Sequence, residues 1–103
     1  IDCSGLVQVV GQMLHIIMPR DAHQQALCGN LEMWDQRKSG DLAYFANADG
    51  KVTHVGILLD DDQIIHAFGK VRIDRLTVNG IVNEQSGLLT HKLHDIRIWP
   101  ILL

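Results

Sequence analysis

The stretch Thr53–Phe68, THVGILLDDDQIIHAF, contains two short β-rich segments separated by three aspartates. A link this short joins antiparallel strands, because a parallel crossover needs a dozen or more residues. Opposed residues in an antiparallel pair have a constant index sum, and an even sum of about 120 to 122 places His54 and His66 on one face. An odd sum would separate them. In the even case their Cβ atoms lie roughly 4.5 to 8 Å apart, within reach of a side-chain hydrogen bond.

Further β-rich segments lie on both sides of this hairpin, and turn-like compositions separate them. They are GDLAYF at Gly40–Phe45, KVRIDRL at Lys70–Leu76 and HDIRIWPIL at 94–102. Residues 77–93, TVNGIVNEQSGLLTHKL, have no clear period, so we expect a loop there with at most one turn of helix. The short links predict a largely antiparallel sheet.

Helical periodicity precedes the β-rich part of the chain. Apolar residues at steps of three and four predict a helix from Ser4 to about Ile16 with one buried face. They are Leu6, Val9, Val10, Met13, Leu14 and Ile17. The stretch RDAHQQALCG predicts a second short helix, with Asp21 near its start and Gly29 as its stop. The fold class is therefore α+β, with N-terminal helices packed on a mainly antiparallel β-sheet.

The bulk composition excludes several classes of protein. The chain has 103 residues, of which 47% are apolar and 20% charged, and a net charge of −3. These values suit one globular domain and differ from those of disordered or nucleic-acid-binding chains, so no nucleic-acid partner is expected. Apolar runs such as HVGILL and IWPILL are much shorter than the roughly 18 residues that a membrane span requires.

A cysteine, Cys3, lies at the start of the first predicted helix. A helix N-terminus stabilises the thiolate, which is the nucleophilic form of cysteine, through free N–H groups and the helix dipole. The amides of Cys3 and Ser4 could also donate to the oxyanion that forms when the sulfur attacks a carbonyl. His54 would then serve as the base, with His66 fixing its ring and tautomer. A nucleophile on a leading helix and a base on a following sheet form the papain-like arrangement.

Four motifs in this order resemble those of the NlpC-type cell-wall cysteine peptidases. They are DCSGLVQ at Asp2–Gln8, GDLAYF at Gly40–Phe45, HVGILL at His54–Leu59 and IIHAFGKVRI at Ile64–Ile73. With PRDAHQQ at Pro19–Gln25, the similarity covers nearly the whole chain. The resemblance implies a papain-like domain that cuts bacterial peptidoglycan stem peptides after γ-D-glutamate and before diaminopimelate or lysine.

The resemblance also assigns roles to individual residues. It implies that Cys3 is the nucleophile, His54 the general base and His66 the third polar residue, without a cofactor or a metal. Asp2 and Ser4, which flank the nucleophile, would bind substrate. The expected partners are stem peptides or muropeptides, the expected location is extracytoplasmic, and we expect a monomer.

The family usually carries a Tyr- and Gly-rich stretch shortly before the D-C-S-G motif. We therefore expect residues 1–103 to form a single NlpC-type catalytic domain that lacks its N-terminal portion. Accessory domains are expected upstream of it.

Other interpretations of the same residues stay open. A disulfide between Cys3 and Cys28 would silence the nucleophile, and zinc bound by Cys3, His54 and His66 would make a metallohydrolase. A wall-binding module with a vestigial site and an amidase or acyltransferase on the same fold are the alternative functions. Asp60–Asp62 is expected to be a solvated turn. The other histidines are expected to be surface or partly buried structural residues: His15, His23, His91 and His94.

Overall fold

Two helices and a seven-stranded antiparallel sheet make up the part of the chain that the structure describes, residues 1–60 and 62–100 of a computed structural model. The helices are α1 (Cys3–Met13) and α2 (Ala22–Gln25), with a short 3-10 helix at Trp34–Gln36. The strands are β1 (Asn30–Glu32), β2 (Leu42–Ala46), β3 (Val52–Leu58), β4 (Gln63–Phe68), β5 (Lys70–Thr77), β6 (Gly80–Val82) and β7 (Leu89–Ile98). No helix in these residues is long and apolar enough to cross a membrane.

Helix α1 begins at Cys3 because the side chain of Asp2 caps it, accepting the Gly5 N–H at 2.8 Å. The helix ends at Met13, before the predicted end at Ile16. His15 adopts a left-handed φ of 60° there, and the Ile16 N–H turns back to the Gly11 carbonyl at 2.7 Å.

The buried face of α1 differs from the predicted stripe. Its buried residues are Ser4, Val7 and Gly11. Four of the predicted core residues are exposed instead, namely Val9, Met13, Leu14 and Ile17. Because the helix stops at Met13, the last two of these residues lie beyond it and do not follow its face.

Helix α2 is a single turn that begins after Asp21, whose N–H donates to the Gln24 side chain at 3.2 Å. The predicted helix ran on to Gly29. Its second half instead forms a tighter turn, in which the Cys28 N–H donates to the Gln25 carbonyl at 3.0 Å. Gly29 then turns with a φ of 76° into β1.

Six of the strands close into a barrel. Strands β7, β2, β3, β4, β5 and β6 are neighbours in that order, and β6 also pairs with β7. Every pairing is antiparallel, as predicted, and β1 adds to the outer side of β7. The α+β fold with helices packed on an antiparallel sheet is thus confirmed.

The prediction of a loop over residues 77–93 was wrong, because both β6 and the first half of β7 lie there. Strand β6 has only three residues, too few to show a period of two. Two residues of the strand predicted at 94–102, 101 and 102, lie outside the described residues.

The β3–β4 hairpin has the predicted register. Its opposed pairs, Ile57 with Ile65 and Leu58 with Ile64, both have an index sum of 122, which is even. Gly56 permits this close approach, since a Cβ there would lie 2.7 Å from Cδ1 of Ile64. Of the predicted turn at Asp60–Asp62, Asp61 lies outside the described residues, and Oδ1 of Asp60 accepts the N–H of Asp62 at 3.1 Å.

The buried apolar residues form two clusters, one on each side of the barrel wall. The outer cluster joins the helical segment to the wall and consists of Val7, Met18, Ala22, Ala26, Leu42, Tyr44, Val55 and Ile57. The inner cluster contains residues of the barrel strands only, namely Ala43, Phe45, Leu58, Ile64, Leu76, Ile81 and Ile96. The helices therefore lie outside the barrel, and alternate residues of its strands point inward.

Candidate active site

The thiol of Cys3 lies where α1 meets the wall of the barrel. Its Sγ is 4.0 Å from the carbonyl oxygen of Thr53, the residue just before His54 on β3. Both cysteines, Cys3 and Cys28, are free thiols, so the disulfide between them that the sequence left open is absent from the structure. The nucleophile candidate is therefore a free thiol at the first residue of a capped helix.

His54 and His66 form a buried pair inside the barrel. Nε2 of His54 lies 2.7 Å from Nδ1 of His66, and the ring planes are nearly perpendicular at 89°. The residues are 5% and 0% exposed. His54 opposes Phe45 of the inner cluster in the β2–β3 register, which explains why its side chain points inward. The predicted contact between the two histidines is present.

A carboxylate that the sequence did not reveal extends this pair. Oδ2 of Asp74, on β5, lies 2.8 Å from Nε2 of His66. The same carboxylate accepts hydrogen bonds from Nε and Nη2 of Arg72 and from the backbone N–H of Glu84. Burial alone would raise the pKa of Asp74, but these donors outweigh it and lower the pKa to about 2. Asp74 is therefore ionised at neutral pH.

His91, expected to be a structural residue outside the site, belongs to the same cluster. Its ring stacks on that of His54, with centroids 4.0 Å apart and planes 23° apart. Nδ1 of His91 lies 2.8 Å from Oγ1 of Thr90, and Phe68 packs edge-on against the ring. His91 and His94 both lie on β7.

The three histidines are held in the neutral form. Burial, followed by the charges of His91 and His66, lowers the pKa of His54 to about 3. Burial and the charge of His66 lower the pKa of His91 to about 4, and burial lowers that of His66 although Asp74 acts in the opposite direction. Each ring can therefore offer one nitrogen lone pair to a donor.

Asp2 and Ser4, the predicted substrate-binding residues, are both tied to Arg20. The Arg20 guanidinium forms an ion pair with Asp2 at 2.8 Å and donates to Oγ of Ser4 at 2.9 Å. Ser4 is buried, whereas the Asp2 side chain stays 56% exposed. Of the two, only Asp2 presents a largely accessible side chain to solvent.

A groove of about 470 Å³ opens beside the thiol. Its walls come from the start of α1, from the start of α2 and from β3 with the residue before it. The lining residues are Asp2, Cys3, Ser4, Asp21, Ala22, His23, Lys51, Val52 and Thr53. Cys3 and its sequence neighbours Asp2 and Ser4 therefore all line one groove.

The groove and the histidine cluster meet at β3, where Thr53 lines the groove and His54 points into the barrel. Within residues 1–60 and 62–100, no hydrogen bond joins Cys3 to His54. Nor do three His, Cys, Asp or Glu side chains of the described residues group so that they could hold a metal ion. The zinc site considered for Cys3, His54 and His66 therefore has no support in this geometry.

These features define a helix-on-barrel domain with a thiol at the helix N-terminus and a buried histidine pair in the adjoining barrel. The chain belongs to the NlpC/P60 family, whose model matches residues 1–89.

Curated relatives match most of the chain. A γ-D-glutamyl-L-lysine dipeptidyl-peptidase of Bacillus subtilis is 35% identical over 82% of this chain and 30% of its own length. A γ-DL-glutamyl hydrolase of the same organism is 38% identical over 84% of this chain and 22% of its own length. The chain therefore spans less than a third of either relative.

Solved structures share the fold. An NlpC/P60 family protein from Bacillus cereus superimposes with a TM-score of 0.78 at 26% identity, over 95% of this chain and 31% of that one. The helix-on-barrel arrangement is thus that of the family.

Proposed function

We propose that this chain is the catalytic domain of a thiol endopeptidase that hydrolyses peptidoglycan stem peptides at the bond between γ-D-glutamate and diaminopimelate or lysine. The observation that carries the proposal is the 2.7 Å contact between the buried rings of His54 and His66. His54 directly follows Thr53, the residue of β3 whose carbonyl oxygen contacts Cys3. A histidine oriented by a second polar group, next to a thiol on a helix N-terminus, is the papain-like catalytic arrangement.

The reaction would run through an acyl enzyme. The Cys3 thiolate attacks the amide carbonyl while N–H groups at the start of α1 stabilise the oxyanion. The protonated His54 donates its proton to the leaving amine, which breaks the C–N bond and leaves a thioester. Water, activated by neutral His54, then hydrolyses the thioester and restores the free thiol. Because burial lowers the pKa of His54 to about 3, its imidazolium needs a neighbouring anion, which the thiolate supplies.

The names of two relatives support the choice of bond. One acts on a γ-D-glutamyl-L-lysine linkage and the other is a γ-DL-glutamyl hydrolase, so both names concern a γ-glutamyl bond. Peptidoglycan lies outside the cytoplasm, and we therefore propose extracytoplasmic action. The groove beside Cys3 is the proposed substrate site, since it holds the thiol and both predicted binding residues, Asp2 and Ser4.

The test is to incubate the chain and its Cys3→Ala variant with purified muropeptides and identify the products by mass spectrometry. New amino termini at diaminopimelate or lysine are expected from the parent chain, and none from Cys3→Ala. Cys28→Ala, which removes the thiol outside the groove, is the matched control and should retain activity.

Other results would replace this proposal with an alternative. Release of whole stem peptides would indicate an amidase, and binding without any hydrolysis would indicate a wall-binding module. Equal digestion by the parent chain and Cys3→Ala would show that Cys3 is not the nucleophile.

A further inference from the structure

Asp74 occupies the inner end of a hydrogen-bond chain that passes through both histidines. The chain runs from Oδ2 of Asp74 to Nε2 of His66 at 2.8 Å, and from Nδ1 of His66 to Nε2 of His54 at 2.7 Å. The residues are 2%, 0% and 5% exposed in that order, so water cannot replace any of these partners without opening the barrel. Each proton in the chain must therefore lie on one defined nitrogen.

We propose that Asp74 is a positioning residue that sets the tautomers of both histidines, and thereby selects the nitrogen of His54 that acts as the base. This inference rests on the proposed function for its catalytic consequence. The tautomers themselves can be measured without any activity.

The assignment follows from the donor and acceptor capacity of each group. An ionised carboxylate only accepts, so Nε2 of His66 must carry a hydrogen that it donates to Asp74. Neutral His66 then has its lone pair on Nδ1, which accepts the hydrogen on Nε2 of His54. The lone pair of neutral His54 is consequently on Nδ1. This nitrogen is the one that can take a proton from a thiol.

The surroundings of Asp74 keep it in the acceptor role. Oδ2 accepts from Nε of Arg72 at 2.7 Å, while Oδ1 accepts from Nη2 of Arg72 at 3.1 Å and from the Glu84 N–H at 3.0 Å. All four donors, including His66, point at the two oxygens. A protonated or amide side chain would place a hydrogen against at least one of them.

Replacing Asp74 by asparagine should reverse the chain. An amide nitrogen at the Oδ1 position would face two fixed donors, from Arg72 and Glu84. At the Oδ2 position it would face only one fixed donor, from Arg72, because His66 can move its hydrogen to Nδ1. The second orientation has fewer conflicts and places the lone pair of His54 on Nε2, where it accepts the His66 hydrogen and is not free to take a proton from a thiol.

Nitrogen NMR of the histidine side chains tests the tautomers directly. In the Cys3→Ala protein, which removes the thiol, the hydrogen is expected on Nε2 of both His54 and His66. In Cys3→Ala with Asp74→Asn, it is expected on Nδ1 of both. A hydrogen on Nδ1 of His54 in the first protein would overturn the proposal, and this measurement does not need Asp74→Asn to fold.

Other charged groups face the cluster and must be accounted for in the spectra. They are His91 on β7, which stacks on His54, and Arg72 on β5, which binds Asp74. Cys3 on α1, which borders Thr53 next to His54, is replaced by alanine in both proteins and does not contribute. Recording the spectra near pH 7 keeps all three histidines neutral, since burial lowers the pKa of each.

Kinetics test the catalytic consequence. Asp74→Asn is expected to lower kcat by about a hundredfold to ten-thousandfold, as expected when a triad base is held in the wrong tautomer. KM should change little, because Asp74 does not line the groove. An unchanged kcat in a variant whose tautomers have reversed would overturn the proposed role of Nδ1.

Two control variants separate this role from a structural one. Asp41→Asn alters another buried aspartate, which accepts the Lys38 N–H outside the site, and it should retain its kcat. Arg72→Gln removes the ion pair but leaves the carboxylate facing His66, so its loss of kcat should be much smaller than that of Asp74→Asn. Failure of the proposed function, seen as full activity in Cys3→Ala, would leave the NMR result unaffected.

Discussion

Four neighbouring aromatic side chains hold the ring of His54 in place. His66 binds its Nε2, His91 stacks on one face, and Phe45 and Phe68 pack at ring centroid distances of 5.8 and 6.1 Å. A ring fixed in this way loses little rotational freedom when it accepts a proton. This restraint supports the proposed role of His54 as an oriented base.

Replacing His91 by alanine should lower both stability and activity, because it removes the ring that stacks on His54. We expect a loss of about 1–3 kcal/mol in the free energy of unfolding, from lost burial and lost ring contact. His91→Phe keeps an aromatic ring and should restore most of the stability and of kcat. Urea denaturation and steady-state kinetics measure both effects. Equal losses in His91→Ala and His91→Phe would contradict a role based on ring packing.

The sequence revealed only part of this cluster. Cys3, His54 and His66 belong to local motifs, and one hairpin register was enough to bring the two histidines together. Asp74 reaches the site through the short β4–β5 hairpin, whereas His91 reaches it through the irregular β6–β7 register, which no short stretch of sequence determines. One signal was present for Asp74. It occupies an alternating strand segment opposite Ile64, where an inward acidic side chain requires a buried partner.

At the scale of elements, the start of α1 carries both the thiol and the cap that fixes the helix. Asp2 accepts the Gly5 N–H and also pairs with Arg20, which links α1 to the segment before α2. The ion pair is exposed, with both side chains more than half accessible, and such pairs add little to stability. The cap is therefore the more important of the two contacts for the position of Cys3.

Substitutions at Asp2 can separate the cap from the ion pair. Asp2→Ala should lower the free energy of unfolding by about 0.5–2 kcal/mol, the usual cost of losing an N-cap. Asp2→Asn keeps a capping oxygen and should remain close to the parent chain in stability, although its ion pair is lost. Thermal or urea denaturation compares the two. A loss in Asp2→Asn as large as that in Asp2→Ala would show that the ion pair is the more important contact.

The β3–β4 hairpin depends on the small size of Gly56. In Gly56→Ala, the new Cβ would lie 2.7 Å from Cδ1 of Ile64 and 3.0 Å from the Ile65 carbonyl. We expect a loss of about 1–3 kcal/mol in the free energy of unfolding, together with a lower kcat, because the strands that hold His54 and His66 must separate.

A second substitution tests this explanation. Ile64→Val removes the Cδ1 atom and alone should cost about 0.5–1.5 kcal/mol. In the double variant, Gly56→Ala with Ile64→Val, the free energy of unfolding should fall by less than the sum of the two single losses, since the closest contact is relieved. Full additivity in urea denaturation would contradict a clash with Cδ1 of Ile64, since the other close atom of that side chain, Cγ1 at 2.8 Å, remains in valine.

At the scale of the whole molecule, the closed barrel buries ionisable groups that are exposed to water in the unfolded chain. The buried histidines have a lowered pKa, about 3 for His54 and about 4 for His91, against an ordinary value of about 6.5 in the unfolded chain. Between these values the unfolded state binds more protons than the folded state. The stability linked to these histidines is therefore complete above about pH 6.5 and is lost as the pH falls.

Urea denaturation at a series of pH values measures this linkage. The free energy of unfolding should fall between about pH 6.5 and 4, by about 1.4 kcal/mol per pH unit for each histidine that stays neutral in the folded state. His91→Phe removes one of these groups and should make the slope smaller. Asp74 does not counteract the trend, because its pKa is lowered too. A stability that does not change over this range would show that the cluster is not held neutral.

Closure of the barrel was the feature least accessible to sequence reasoning. It depends on β6, a three-residue strand, and on Gly80, where a Cβ would collide with the His91 carbonyl. The pairing of β6 with β7 joins residues that form no local pattern, so periodicity could not reveal it. The helix start and the central hairpin were predictable because their signals lie within a few neighbouring residues.

Closure of the barrel also affects how copies of this molecule behave at high concentration. Unpaired strand edges recruit further chains and start fibril growth, whereas β2 to β7 satisfy one another around the circle. Within the described residues, two edges remain: the outer side of β1, Asn30–Glu32, and the stretch Lys70–Asp74 of β5, which β6 does not reach. The folded domain should therefore resist edge-to-edge aggregation for as long as β6 stays attached to β7.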